Sequence, residues 1–160
     1  MESLVNVDEE EKKPSKLSSQ AVRFFLHTAL AIGSWLVLML LGYAFNPQGV
    51  PQFLILLISL LVPAMVGYAI TRARQDEMAL LVWLVGLIWM LIISLWILDK
   101  PTALNACFQC DATEKLTRTF FSWPRPSGLI DDDGPFLGTW PAAALLGYSI
   151  GARFAFKRKG

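Results

Sequence analysis

The sequence predicts an all-α integral membrane fold: a bundle of four transmembrane helices with one structured non-cytoplasmic segment between helices 3 and 4. Three observations carry this prediction. No Asp, Glu, Lys or Arg occurs from Phe24 to Thr71, from Met78 to Leu98, or from Gly134 to Ala152. A bilayer core requires ~20 apolar residues per helix, so the first run holds two helices and a turn, and the other two hold one each. The chain is 54% hydrophobic and only 17% charged, against about 25% charged in soluble domains. Its Lys and Arg residues also gather beside the ends of the apolar runs.

In chain order, residues 1–17 read as a mobile polar tail, with the acidic run Asp8–Glu11 followed by Lys12, Lys13 and Lys16. Residues 18–160 form one membrane domain. Helix 1 is expected over about 20–45. Its apolar run is longer than that of a cleaved signal peptide, and no small-residue cleavage site follows it. Asn46, Pro47, Gln48, Gly49 and Pro51 punctuate the run as a turn. Helix 2 is expected over about 52–70, with a kink at Pro63, where a backbone hydrogen bond is lost. The connection 71–77 is short and polar, so helices 2 and 3 are expected to be antiparallel neighbours. Helix 3 is expected over about 78–98, with Trp83, Trp89 and Trp96 along it. An outer segment, 99–135, precedes helix 4 at about 136–156, whose start carries Pro141.

Orientation follows from the Lys and Arg residues near the span ends. Ten lie on one side: Lys12, Lys13, Lys16, Arg23, Arg72, Arg74, Arg153, Lys157, Arg158 and Lys159. Four lie on the other: Lys100, Lys115, Arg118 and Arg125. Both termini are therefore expected on the cytoplasmic side of a plasma (inner) membrane or an equivalent energy-transducing membrane. The basic residues flank spans and decorate no soluble face, so no nucleic-acid partner is expected.

Candidate functional residues are few. Ala143, Gly147 and Gly151 stand four residues apart on helix 4, and small residues at that spacing let another helix backbone approach closely. That face serves either packing within the bundle or docking onto a partner. Ala29 and Gly33 make a weaker pair on helix 1. Residues 112–123 read as an amphipathic interfacial helix with Leu116, Phe120 and Trp123 on its apolar face. Sealing of the outer end of the bundle is preferred for it over partner contact. Asp131–Asp133 lack the alternating spacing of a calcium loop, and no metal site is expected. His27, the only histidine, lies one turn from Arg23. One histidine cannot supply a bis-histidine haem within the chain, and an interfacial hydrogen bond is the reading preferred over a haem or other pigment ligand.

Cys107 and Cys110 form a CxxC in the outer segment, where a disulfide persists. Asp111 and Glu114 after them have the spacing of a helix cap, and a helix N-terminus favours a thiolate. Four spans, inside termini and an outer CxxC resemble, in gross topology, the DsbB family of quinone-linked disulfide-forming membrane enzymes. That resemblance implies thiol oxidation with quinone as cofactor. The family carries cysteine pairs in both outer loops, whereas this chain carries one pair, in the second.

The reading drawn from the sequence is a non-catalytic polytopic protein, an accessory subunit or assembly factor of a larger membrane complex. Its partners are the lipid bilayer and other membrane-protein subunits, with no cofactor. The alternatives are a quinone-linked thiol-disulfide oxidoreductase and a small oligomeric transporter.

Overall fold

The computed structural model describes residues 16–45, 52–99, 110–121 and 138–156. The elements are α1 (Lys16–Phe45), α2 (Gln52–Ala73), a 3-10 helix (Glu77–Leu81), α3 (Trp83–Asp99), α4 (Ala112–Phe121) and α5 (Thr139–Ala155). No strand occurs among the described residues. Three helical stretches are long and apolar enough to cross a membrane: Ser19–Gly42, Phe53–Ala73 and Glu77–Asp99. The chain is thus a membrane protein, all-helical among its described residues.

The fourth expected helix, α5, has 17 residues. At 1.5 Å per residue it is about 25 Å long, somewhat short of a ~30 Å hydrocarbon core. It is nonetheless the centre of the bundle, in contact with α1, α2 and α3. From Pro141 to Ala155 only Leu146, Ile150, Arg153 and Phe154 are exposed. A helix enclosed by other helices has little surface to present to lipid, which is why Ala, Gly and Ser replace the Leu and Ile of its neighbours.

Small residues set how closely α5 sits on α2. A Cβ on Gly147 would overlap the Leu60 carbonyl oxygen, and one on Gly151 the Ala64 carbonyl oxygen. Both partners advance by four residues, so the two helices run parallel. On the α2 side, a Cβ on Gly67 would overlap the Tyr148 carbonyl oxygen. Ser59, Pro63, Gly67 and Thr71 are all buried and recur every fourth residue along α2. The buried counterparts on α5 are Ala143, Gly147, Gly151 and Ala155. The small-residue face of α5 is thus turned onto α2 of the same chain. By contrast, α3 is antiparallel to α5: Gly86 faces Ala142 and Leu145, with a Cβ there 3.3 Å from the Leu145 Cβ.

Several boundaries differ from those expected. Helix α1 begins at Lys16, and α2 continues to Ala73. The third span does not start as one α-helix at 78. Asp76 caps a 3-10 helix by accepting the Met78 N–H at 3.1 Å, a turn follows at Val82, and α3 begins at Trp83. The cause lies in α5: Ser149 Oγ accepts the Trp83 N–H at 2.9 Å and donates to the Ala79 carbonyl at 3.3 Å. One hydroxyl thereby holds both sides of the break, and Ala79 and Val82 are left fully buried.

Between α3 and α5, α4 spans Ala112–Phe121, and Asp111 Oδ1 accepts the Glu114 N–H at 2.7 Å. Phe120 packs with Ile93 and Ile97 of α3, and Leu116 is half-buried beside them. The buried face also includes Lys115 and Thr119, so it is rotated from the Leu116–Phe120–Trp123 line expected from the sequence. The Thr139 hydroxyl donates to the Phe120 carbonyl at 2.7 Å and ties the start of α5 to the end of α4. Trp123 and Asp131–Asp133 lie outside the described residues.

The glycines provide a test. Gly147→Ala should lower the thermal stability of the purified chain, because added bulk in a packed contact costs ~1–3 kcal/mol. Gly33→Ala, where a Cβ meets nothing within 4 Å, should leave stability unchanged or raise it by up to ~1 kcal/mol through helix propensity. Thermal unfolding in detergent reads both; equal behaviour of the two variants would refute the close α2–α5 packing.

Candidate functional site

A buried polar cluster lies at the end of the bundle where α1 begins and where α2 and α5 end. It draws on three parts of the chain: Arg23 and His27 from α1, Asp76 from the α2–α3 connection, and Tyr148 from α5. His27 Nδ1 lies 2.8 Å from the Tyr148 hydroxyl. His27 Nε2 lies 3.5 Å from Asp76 Oδ2, and Arg23 Nη1 approaches the same oxygen at 3.8 Å. His27 and Asp76 are each 5% exposed, and Tyr148 is 0% exposed.

Local structure explains the arrangement. Arg23 and His27 are four residues apart on a helix and so share a face. Asp76 is fixed by its second oxygen, which caps the 3-10 helix. Tyr148 follows Gly147 and is carried in by the close α2–α5 packing. A carboxylate beside Nε2 favours the proton on that nitrogen. Nδ1 then accepts, and the Tyr148 hydroxyl donates to it. Both imidazole nitrogens therefore face protein groups. The cluster can hold a proton between phenol and carboxylate, while Arg23 offsets the buried carboxylate charge. A buried carboxylate persists where a cation and hydrogen-bond donors face it.

A second set of polar contacts surrounds the first. Gln75 Nε2 donates to the carbonyls of Thr71 at 3.0 Å and Ala155 at 3.2 Å, linking the ends of α2 and α5. Ser149 links α5 to the start of α3, as described above. Ser59 and Thr71 differ: their buried hydroxyls have no hydrogen-bond partner among the described residues. Their contribution to the α2–α5 contact is small size.

The residues singled out from sequence thus separate. His27 enters the cluster. Ala143, Gly147 and Gly151 line the contact with α2. Leu116 and Phe120 pack at the opposite end of α3. Cys110 is half-buried just before the Asp111 cap, and Cys107 and Trp123 lie outside the described residues. No group of three or more His, Cys, Asp or Glu is placed to hold a metal among the described residues. Sequence reasoning missed Asp76 and Tyr148. Asp76 stands among Arg72, Arg74, Gln75 and Glu77 and reads as a solvated loop residue. A signal for Tyr148 existed: a tyrosine within a small-residue helix is buried, and a buried tyrosine hydroxyl seeks a partner.

No family model, curated protein or solved structure matches this chain.

The cluster and the α2 hydroxyls make opposite predictions. Tyr148→Phe strands His27 Nδ1 in a buried site and should cost about 1–3 kcal/mol. Ser59→Ala removes a buried hydroxyl that has no partner and should be neutral or stabilising. Unfolding of the two variants in the same detergent compares them directly. A Tyr148→Phe protein as stable as the parent would mean that the hydrogen bond contributes nothing.

Proposed function

We propose that this chain is a non-catalytic accessory subunit or assembly factor of a larger membrane complex. In this reading it crosses the plasma membrane, or an equivalent energy-transducing membrane, four times, with both termini on the cytoplasmic side. The fourth crossing is α5, inserted among the three more apolar helices.

The observation that carries the proposal is the state of α1. As far as Trp35 it packs on the bundle, with His27, Ala31 and Trp35 all buried. Beyond Trp35 no described residue of α1 is buried. A Cβ on Gly33 or Gly42 meets nothing within 4 Å, and Ala29, one turn before Gly33, is exposed. Small residues on a membrane helix admit close approach of another helix. The α5 glycines are occupied inside the chain, so the Ala29–Gly33 face of α1 is the docking surface in this proposal. The internal polar groups support the same reading, because they join one helix to another.

The redox alternative rests on Cys107 and Cys110, of which Cys110 stands immediately before the N-terminus of α4. A thiolate there would gain from the helix N-terminus. Asp111, however, already places a carboxylate on that terminus, which disfavours a second negative charge. We assign Cys107 and Cys110 a structural disulfide. A transporter would require several copies to enclose a polar path.

Two measurements bear on this. The double variant Ala29→Leu, Gly33→Leu should unfold within ~0.5 kcal/mol of the parent, as surface changes do, yet lose the proteins that copurify in mild detergent. Unchanged copurification would remove α1 as the docking helix, and a parent chain that copurifies nothing would remove the subunit reading. Replacing Cys107 and Cys110 with Ser should cost ~2 kcal/mol or less, because the closed loop is short, and leave complex assembly intact. Loss of quinone-dependent thiol oxidation in a stably folded double variant would establish the enzyme instead.

A further inference from the structure

Helix α5 reaches the outside of the bundle along one stripe only: Leu146, Ile150, Arg153 and Phe154, at i, i+4, i+7 and i+8. Three of these residues line a groove of about 710 Å³ together with Leu80, Trp83 and Phe156. That volume falls within the ~300–1,000 Å³ of small-molecule sites. Leu80, Trp83, Leu146 and Ile150 supply apolar walls from the break before α3 and from the middle of α5. Arg153 stands in the last turn of α5, about one turn beyond Ile150 towards the basic end of the bundle.

We propose that this groove holds one anionic glycerophospholipid, with an acyl chain along Leu146 and Ile150 and the phosphate on Arg153. Charge complementarity selects this occupant. Arg153 has no acidic partner within ion-pair distance among the described residues. The sequence contains no Asp or Glu after Asp133, while Lys157, Arg158 and Lys159 follow Arg153 closely. Basic clusters directly beside a membrane helix attract anionic headgroups. A guanidinium also offers a planar fork that matches a phosphate in bidentate fashion. Trp83 suits the headgroup level, where an aromatic side chain meets both acyl chain and water. The Ser149 hydroxyl also borders the groove, but the Trp83 N–H and the Ala79 carbonyl occupy it. Arg153 is thus the residue that discriminates between headgroups. The inference rests on the membrane assignment and is independent of the subunit proposal.

The test is lipid titration of the purified full chain in mild detergent, followed by native mass spectrometry. Phosphatidylglycerol and phosphatidylcholine of identical acyl chains are the probes. The parent should retain one phosphatidylglycerol in preference to phosphatidylcholine. Arg153→Gln should weaken phosphatidylglycerol roughly fivefold, the effect of one basic residue at an anionic membrane surface, with phosphatidylcholine binding and unfolding temperature unchanged. Ile150→Trp, which fills the apolar wall, should weaken both lipids. Equal binding of the two lipids by the parent would overturn the proposal, as would an Arg153→Gln variant that binds as the parent does. A matching loss on Arg74→Gln, outside the groove, would show diffuse attraction and overturn it too. Displacement of the lipid by inorganic phosphate alone would mark a free-anion site and refute the lipid assignment.

Discussion

The close approach of α2 and α5 is the contact on which the other features depend. Between helices in lipid there is little hydrophobic drive, so association relies on dispersion at short range and on polar links. Glycine at 67, 147 and 151 lets the two backbones approach until a single methyl group would overlap a carbonyl. With α5 held at that depth, three of its residues reach their partners: Tyr148 meets His27, Ser149 meets the Trp83 N–H, and the Ala155 carbonyl meets Gln75. A shift of α5 outward by the width of a methyl group would weaken all of these links.

The two ends of the bundle are held by different physics. At the end that carries Arg23, buried polar groups join α1, α2, α5 and the start of α3, and each link is directional. At the other end, α4 covers α3 through Phe120, Ile93 and Ile97, a contact without strict geometry, and the Thr139 hydroxyl ties α4 to α5. A polar network fixes register, because a slip of one residue would leave a buried carboxylate and imidazole unpaired. An apolar contact tolerates adjustment. The register of the bundle is therefore set at the Arg23 end, and α4 adapts to it.

Charge-free runs of residues made the three long apolar helices legible, and they are the strongest signal the sequence carries. The four-residue spacing of Ala143, Gly147 and Gly151 was also legible as a contact face. The partner was not, because the complementary stripe on α2 includes Ser59, Pro63 and Thr71, and a proline within an apolar run suggests a kink before it suggests packing. The 3-10 start of the third span was hidden for a related reason: its cause, Ser149, lies 66 residues away from Trp83. His27 and Arg23 were visible as neighbours on one helix. Asp76 was not, since burial of a loop carboxylate depends on which helices close over it.

The order of the helices along the chain bears on how the protein matures in a cell. The most enclosed helix is also the last of the described helices to be synthesised. Until it emerges from the ribosome, α2 presents Ser59 and Thr71 hydroxyls on a bare face, and the imidazole of His27 lacks its phenol. Helices α1 to α3 can enter the bilayer on hydropathy alone, whereas α5 is shorter and poorer in large apolar side chains. Its placement is then templated by helices already present, with the stripe on α2 as the receiving surface. A nascent chain held at that stage exposes polar side chains to lipid, the kind of defect that membrane chaperones and proteases are suited to recognise.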